Sequence, residues 1–327
     1  MRILLIGGTG NFSVRLAELA VAGGHDVMVV TRGKRPIPAS LAVKSLLADR
    51  ADLRFHAGDI ERFAPEAVVD SICFDPERAQ DLVELFPKAR RVVLISSVDV
   101  YGEDVGAMPV TEKRDVAPVT AYAKGKAACE RVVLEGLGRR ATVIRPSHIL
   151  GRGFLTTSLW SRSPYLVDRI MKGKPVPAID GGRNLMTPVY AVDIASWVMR
   201  TFESPVAGGE VFNAVGAETV TQLDYYRAIA SVVGRELEVV AVPSIVFRRH
   251  VPEPSQFNVH RPYSNAKAVS RLDHRPVGTL RSMLEETVKH MLEHGLVADC
   301  AGNPIDDELV ALARRHEAEL GELLAKR

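Results

Sequence analysis

Tyr122 and Lys126 stand four residues apart in Ala121-Tyr-Ala-Lys-Gly-Lys126, and Ser96-Ser97 stands upstream, near the end of an apolar run. On a helix, residues four apart share one face. A free phenol titrates near ~10, too high for a base at neutral pH. An ammonium one turn away would favour the phenolate. A serine at the carboxyl end of a strand could hold a substrate hydroxyl or carbonyl beside that phenol. The chemistry these types suit is proton exchange with the oxygen of a carbinol or ketone. Tyr–Lys pairs at this spacing are also common on exposed helices, so the elements that position them decide the reading.

The first of those elements opens the chain. Met1–Ile6 is a short apolar run, Gly7-Gly-Thr-Gly-Asn-Phe-Ser13 follows, and a helical pattern begins near Val14. Strand, glycine turn and helix in that order suit a dinucleotide pyrophosphate. Gly7, Gly10, Asn11 and Phe12 are its expected contacts. Ser13 replaces the third glycine of the fingerprint, a small residue that can also cap a helix. A second strand, His25–Thr31, ends in Arg32-Gly-Lys-Arg35 with no acid. A guanidinium such as Arg32 suits a 2′-phosphate, so NADP(H) is favoured and NAD(H) is the alternative; a solvated basic turn would look the same. Gly58-Asp59 is expected to end the third strand, Leu53–Phe55, where Asp59 could meet the adenine amino group.

Short apolar runs alternate with helical segments from residue 1 to about 150, which predicts a Rossmann-type α/β fold, a doubly wound parallel sheet. Glu210–Val215 reads as one more strand of that sheet. The expected domains are an NAD(P)-binding domain (1–150 plus about 187–215), a smaller interleaved substrate cap (151–186 and 216–300) and a helical tail (301–327). The tail's buried stripe is expected to be Leu309, Leu312, Leu320 and Leu323. Segments 154–160, 172–176 and 180–184 read as irregular.

With 42 basic and 40 acidic residues the net charge is +2, and aromatic residues make up 6%, so neither a polyanion partner nor a base-stacking platform is indicated. Cys73, Cys129 and Cys300 lack metal-ligand spacing; no metal is expected, Cys129 reads as core, and a reducing cytoplasmic compartment is the simplest inference. The opening apolar run has no cleavage site, and no later run approaches membrane-spanning length.

In combination, Gly7–Ser13, Gly58-Asp59, Ile95-Ser-Ser-Val-Asp-Val-Tyr-Gly102, Tyr122–Lys126, Ile144-Arg-Pro146 and Thr187–Ala195 resemble the extended or atypical short-chain dehydrogenase/reductases, the NAD(P)-dependent epimerase/dehydratase family. The resemblance covers residues 1 to about 200. It implies Ser97, Tyr122 and Lys126 as a catalytic triad, with Lys126 also on the nicotinamide ribose and Pro146 near the cofactor. Asp99 matches the second acid of the family's dehydratases and could deprotonate carbon beside a ketone, with capping as its alternative role. His148 would meet the substrate cleft. The arginine that grips a nucleotide sugar's diphosphate is replaced by Met186, leaving Arg183, Arg248, Arg249 or Arg261 as substitutes. The implied activity is epimerisation or dehydration of a sugar or sugar nucleotide through a transient ketone. The alternatives are an NADPH-dependent reductase of a small ketone or natural-product intermediate, and a non-catalytic or RNA-binding member. Homodimerisation through the helices flanking the active-site strand is a further implication.

Overall fold

The computed structural model describes residues 1–326 apart from 104–105, 154, 158 and 252–258. Phe154, Ser158 and Arg327, which fall in segments read above as irregular or helical, lie outside the described residues. The chain forms two compact units: Met1–Ile149, Pro188–Ala217 and Tyr263–Gly278 in the first, and Leu150–Thr187, Glu218–Pro262 and the chain from Thr279 in the second.

The first unit is built on strands β1 (Arg2–Ile6), β2 (Asp26–Thr31), β3 (Lys44–Leu47), β4 (Ala67–Asp70), β5 (Arg91–Ile95), β6 (Ala141–Pro146) and Glu210–Ala214. Among the described residues they make one seven-stranded parallel sheet, with order β3-β2-β1-β4-β5-β6 and Glu210–Ala214 outermost. The order reverses between β1 and β4, and such a switch point opens a crevice at the strands' carboxyl ends.

Side-chain alternation explains why both faces are covered. Ile3, Leu5, Val27, Val29, Val93 and Ile95 point to one face, where they pack with Leu16 and Ala17 of helix α1 (Asn11–Ala22) and with Ile194, Trp197 and Val198 of the helix Ala191–Thr201. Leu4, Ile6, Val68, Val92 and Leu94 point to the other. There they meet Ala79 and Leu82 of α3 (Pro76–Leu85) and Cys129 and Val133 of α4 (Ala121–Leu137); α2 (Ala57–Phe63) adds Ile60 and Phe63. Each buried aliphatic side chain contributes about 1.5–3 kcal/mol, so near-continuous apolar strands can hold a sheet buried on two sides.

The third strand differs from the sequence expectation. It is Lys44–Leu47, a short and largely exposed edge strand, whereas Leu53–Phe55 lies in a 3-10 helix, Arg50–His56. Leu53 is buried but Phe55 is 87% exposed, so the apolar run serves one contact and does not line a sheet. Gly58-Asp59 consequently sits in the first turn of α2.

In the second unit, Val176–Ile179 pairs in parallel with Val239–Val242. The helix Ile305–Leu324 is part of this unit, tied down by Trp160 Nε1 donating to Asp306 (2.7 Å) and by the Arg169–Asp307 ion pair (2.8 Å). Leu309 packs near Leu159, Ile179, Val242 and Phe247, but Leu312, Leu320 and Leu323 are exposed, so the expected stripe is buried only at its first member. Residues 263–278, expected in the cap, belong to the first unit and include the helix Ala266–Leu272. Among the described residues no helix is long and apolar enough to cross a membrane.

Candidate active site

The glycines after β1 divide their work. Gly7 has φ +84°, and a Cβ there would lie 2.5 Å from Ser71 Oγ, so the chain turns and passes close to the end of β4. Gly8, which sequence reasoning passed over, faces Val29: a Cβ would meet its Cγ1 at 2.5 Å. Gly10 is different. It is the N-cap of α1 in extended geometry, and a Cβ there would find nothing nearer than Ser13 Oγ at 3.6 Å. Helix α1 begins at Asn11, earlier than expected, and its N-cap makes no side-chain hydrogen bond. Its first-turn N–H groups are those a phosphate would meet.

Asn11 Oδ1 is buried without a hydrogen-bond partner, and Gly10 leaves the approach open. The open approach at Gly10 fits a dinucleotide's backbone passing close by, and a ribose hydroxyl is the part of it that could donate to Asn11 Oδ1. Phe12 is buried in the core beneath the loop, so any contact with a cofactor falls to its backbone. Ser13 is buried in the first helical turn with Oγ 3.5 Å from Ser71 Oγ; it packs against β4's end and does not cap the helix.

At the end of β2, Arg32 is exposed and lies 3.7 Å from the carboxylate of Asp49. Asp49 follows β3, and it is therefore the acid at the third strand's end that had been assigned to Asp59. Asp59 instead pairs with Arg62 and with His56 (3.6 Å) on α2.

The end of β5 carries the chemistry-bearing turn. Ser97 is the N-cap of a 3-10 turn, Val98–Tyr101, and its Oγ accepts from Asp99 N–H (3.2 Å). Both Ser97 and Asp99 are buried, at 8% and 9% exposure. Thr120 caps α4 by accepting from Ala123 N–H (3.1 Å), which starts the helix one residue before Tyr122. Tyr122 is 44% exposed while Lys126, one turn on, is 1% exposed. Lys126 Nζ donates to the Ile95 carbonyl (2.7 Å), two residues before Ser97, and lies 6.0 Å from the centre of the Tyr122 ring. Burial pulls the lysine's pKa below its ordinary value, against the opposing pull of Asp70. A desolvated ammonium beside a solvent-facing phenol is an arrangement that can favour the phenolate.

Phe74, after β4, was not anticipated. Its ring is 4.5 Å from Lys126 Nζ and 6.1 Å from the Tyr122 ring, and it is half exposed. An exposed aromatic at the carboxyl end of a central parallel strand is the signal that could have found it. The cysteines, far apart in sequence, also converge: Cys73 and Cys129 are free thiols with Sγ atoms 3.6 Å apart, both buried in the core.

Of the other expected residues, Pro146 ends β6 opposite Ala214, and His148 accepts from Val189 N–H through its carbonyl (2.8 Å). Arg183 is exposed and belongs to the second unit, and Met186 is buried. Among the described residues one group has metal-ligand proximity, Asp168, Asp299 and Cys300. Lys172 Nζ lies 2.8 Å from both of its carboxylates and already pairs with them.

Comparison with known proteins matches residues 3–214 to the model of the NAD dependent epimerase/dehydratase family. The chain is 27% identical over 234 residues to the chloroplast stem-loop binding protein of 41 kDa b of Arabidopsis thaliana, covering 67% of this chain and 60% of that protein. It is 23% identical over 247 residues to 2′-dehydrokanamycin reductase of Streptomyces kanamyceticus, covering 75% of this chain and 70% of the relative. Among solved structures, UDP-glucose 4-epimerase of Thermotoga maritima with UDP-glucose superimposes with a TM-score of 0.75 at 18% identity, over 90% of this chain and 99% of that one.

Proposed function

The chain belongs to the NAD-dependent epimerase/dehydratase family, and on that premise we propose that it is an oxidoreductase acting at one hydroxyl or ketone of a sugar or sugar nucleotide through a transient keto form. A bound nicotinamide dinucleotide supplies the hydride acceptor and donor. The chain's own groups manage oxygen and proton. Tyr122 takes the hydroxyl proton, Ser97 holds the oxygen, and Lys126 lowers the cost of the phenolate and would be the group to hold the nicotinamide ribose. Asp99 is placed in sequence to act on carbon beside the ketone, which separates elimination from simple oxidation. Gly7, Gly10, Asn11 and the backbone of Phe12 would cradle the pyrophosphate, with Pro146 near the cofactor and His148 and Arg183 assigned to the substrate. Three free thiols favour a reducing, cytoplasmic setting.

The observation that carries this reading is the buried Lys126 ammonium beneath an exposed phenol, anchored to the strand that leads into Ser97. Arg32, Lys34 and Arg35 favour NADP(H) over NAD(H).

A second reading, an NADPH-dependent reductase of a small ketone, is supported by that same basic turn, by Met186 where a diphosphate-gripping arginine is expected, and by a relative named as a reductase. RNA binding, which the plant relative's name raises, gains nothing from a net charge of +2. Incubating the protein with UDP- and dTDP-hexoses under NAD⁺ or NADP⁺, and following the sugar by proton NMR, tests the first reading: an epimerised or 4-keto product supports it. NADPH consumption only with free ketosugars would favour the reductase, and no turnover of either class would reject both.

A further inference from the structure

Lys126 and Glu130 follow Tyr122 at intervals of four, so all three share one face of α4. Glu130 is 4% exposed and takes a bidentate pair from Arg145 of β6, with Nε to Oε1 at 2.9 Å and Nη2 to Oε2 at 2.5 Å. The same guanidinium lies over the ring of Tyr101, its carbon 4.8 Å from the ring centre. Tyr101 closes the 3-10 turn that begins with Ser97 and Asp99, is wholly buried, and donates to Asn213 Oδ1 (2.8 Å) on the neighbouring strand Glu210–Ala214. One buried cation therefore touches the helix bearing Tyr122 and Lys126 and the turn bearing Ser97 and Asp99.

A buried ion pair is a poor way to gain stability, because desolvating two charges cancels most of their attraction. Apolar side chains of similar volume would hold β6 to α4 at least as well. What they would lack is direction: a planar fork fixed on one carboxylate sets the helix's rotation, and the Tyr101 ring lying 4.8 Å from the guanidinium carbon ties the turn to the same group. We propose that Arg145, with Glu130 and Tyr101, is a positioning residue that sets the Tyr122–Lys126 face against the Ser97 turn. Burial works against the Arg145 charge, and the Glu130 carboxylate outweighs it, so the guanidinium stays ionised across the working range. The inference rests on the roles given above to Tyr122, Lys126 and Ser97.

The test compares wild type with E130L/R145M, which replaces the pair by apolar residues, and with R145K, which keeps charge and bulk but not the fork. Thermal unfolding establishes that each variant is folded. The phenol of Tyr122 is then titrated by ultraviolet difference against the same protein carrying Y122F, which needs neither cofactor nor substrate. The expected result is a thermal midpoint no lower than wild type for E130L/R145M, with the Tyr122 titration displaced upward from that of wild type by about half a unit or more. R145K should fall between the two. With a substrate in hand, kcat should drop about tenfold to a hundredfold with NADP(H) affinity unchanged. A Tyr122 titration superimposable on wild type in folded E130L/R145M would overturn the inference, since a purely structural pair would not move it. Failure of wild type to bind a nicotinamide dinucleotide would sink the functional reading instead, and the titration would still decide this one.

Discussion

Replacing each glycine of the β1–α1 loop by alanine separates turn, packing and ligand. Gly10 has φ −80° and ψ 173°, which any L-residue adopts, and its added methyl would touch only Ser13 Oγ at an ordinary 3.6 Å. Alanine is a poorer N-cap than glycine, so G10A should cost about 1 kcal/mol or less. Yet the methyl would stand where the backbone must approach a pyrophosphate, and NADPH affinity should fall about tenfold to a hundredfold, or roughly 1.4–2.8 kcal/mol. Gly8→Ala reverses the ledger. Its methyl would lie 2.5 Å from Val29 Cγ1, and a β-branched side chain packed in a sheet has little room to turn aside. Overpacking there should destabilise by about 1–3 kcal/mol. The assay is paired, with urea unfolding for stability and fluorescence titration of NADPH for binding. A G10A protein that binds NADPH like wild type would refute the assignment of this loop, as would a G10A binding loss matched by an equal loss of stability.

Other perturbations probe the remaining parts. Tyr122→Phe should lower turnover about 10²- to 10⁴-fold with cofactor affinity retained, as read by steady-state kinetics and titration; unchanged turnover would remove the phenol from the mechanism. For Lys126 the folded-state pKa is lowered, so the unfolded chain holds that proton more tightly. Wild-type stability should therefore rise relative to Lys126→Met as pH climbs from the lysine's folded value toward the ordinary 10.5 of a lysine, and stay level below that window; a difference independent of pH in urea unfolding would contradict the burial argument. Asp49→Asn, by freeing Arg32 from an exposed ion pair worth at most about 1 kcal/mol, should raise the NADP-over-NAD preference up to about fivefold, and Arg32→Ala should lower it. Equal preference in all three proteins would detach the basic turn from cofactor choice.

What the sequence made legible was local. Strand, glycine turn and helix lie within the first 22 residues, and the Tyr122–Lys126 spacing is a single helical turn, so periodicity and residue type reach them. The third strand was missed because an edge strand of four mostly exposed residues shows no apolar alternation, while Leu53–Phe55 does without being a strand. Asp59 was misjudged as a consequence. Long-range pairings left no trace: nothing in the spacing of Cys73 and Cys129, or of Glu130 and Arg145, announces that the fold brings them together. The last helix shows the opposite limit. Its leucines repeat as a buried stripe should, but of the four only Leu309 joins the packed cluster, so periodicity overstated the burial.

The most direct trial of the central claim is a crystal structure of the protein soaked with NADP⁺. The pyrophosphate should lie over Gly10 and Asn11, the nicotinamide ribose within hydrogen-bond distance of Lys126 Nζ, and the reactive ring carbon turned toward the Tyr122 hydroxyl. A nucleotide bound elsewhere, or a nicotinamide directed away from that phenol, would contradict it.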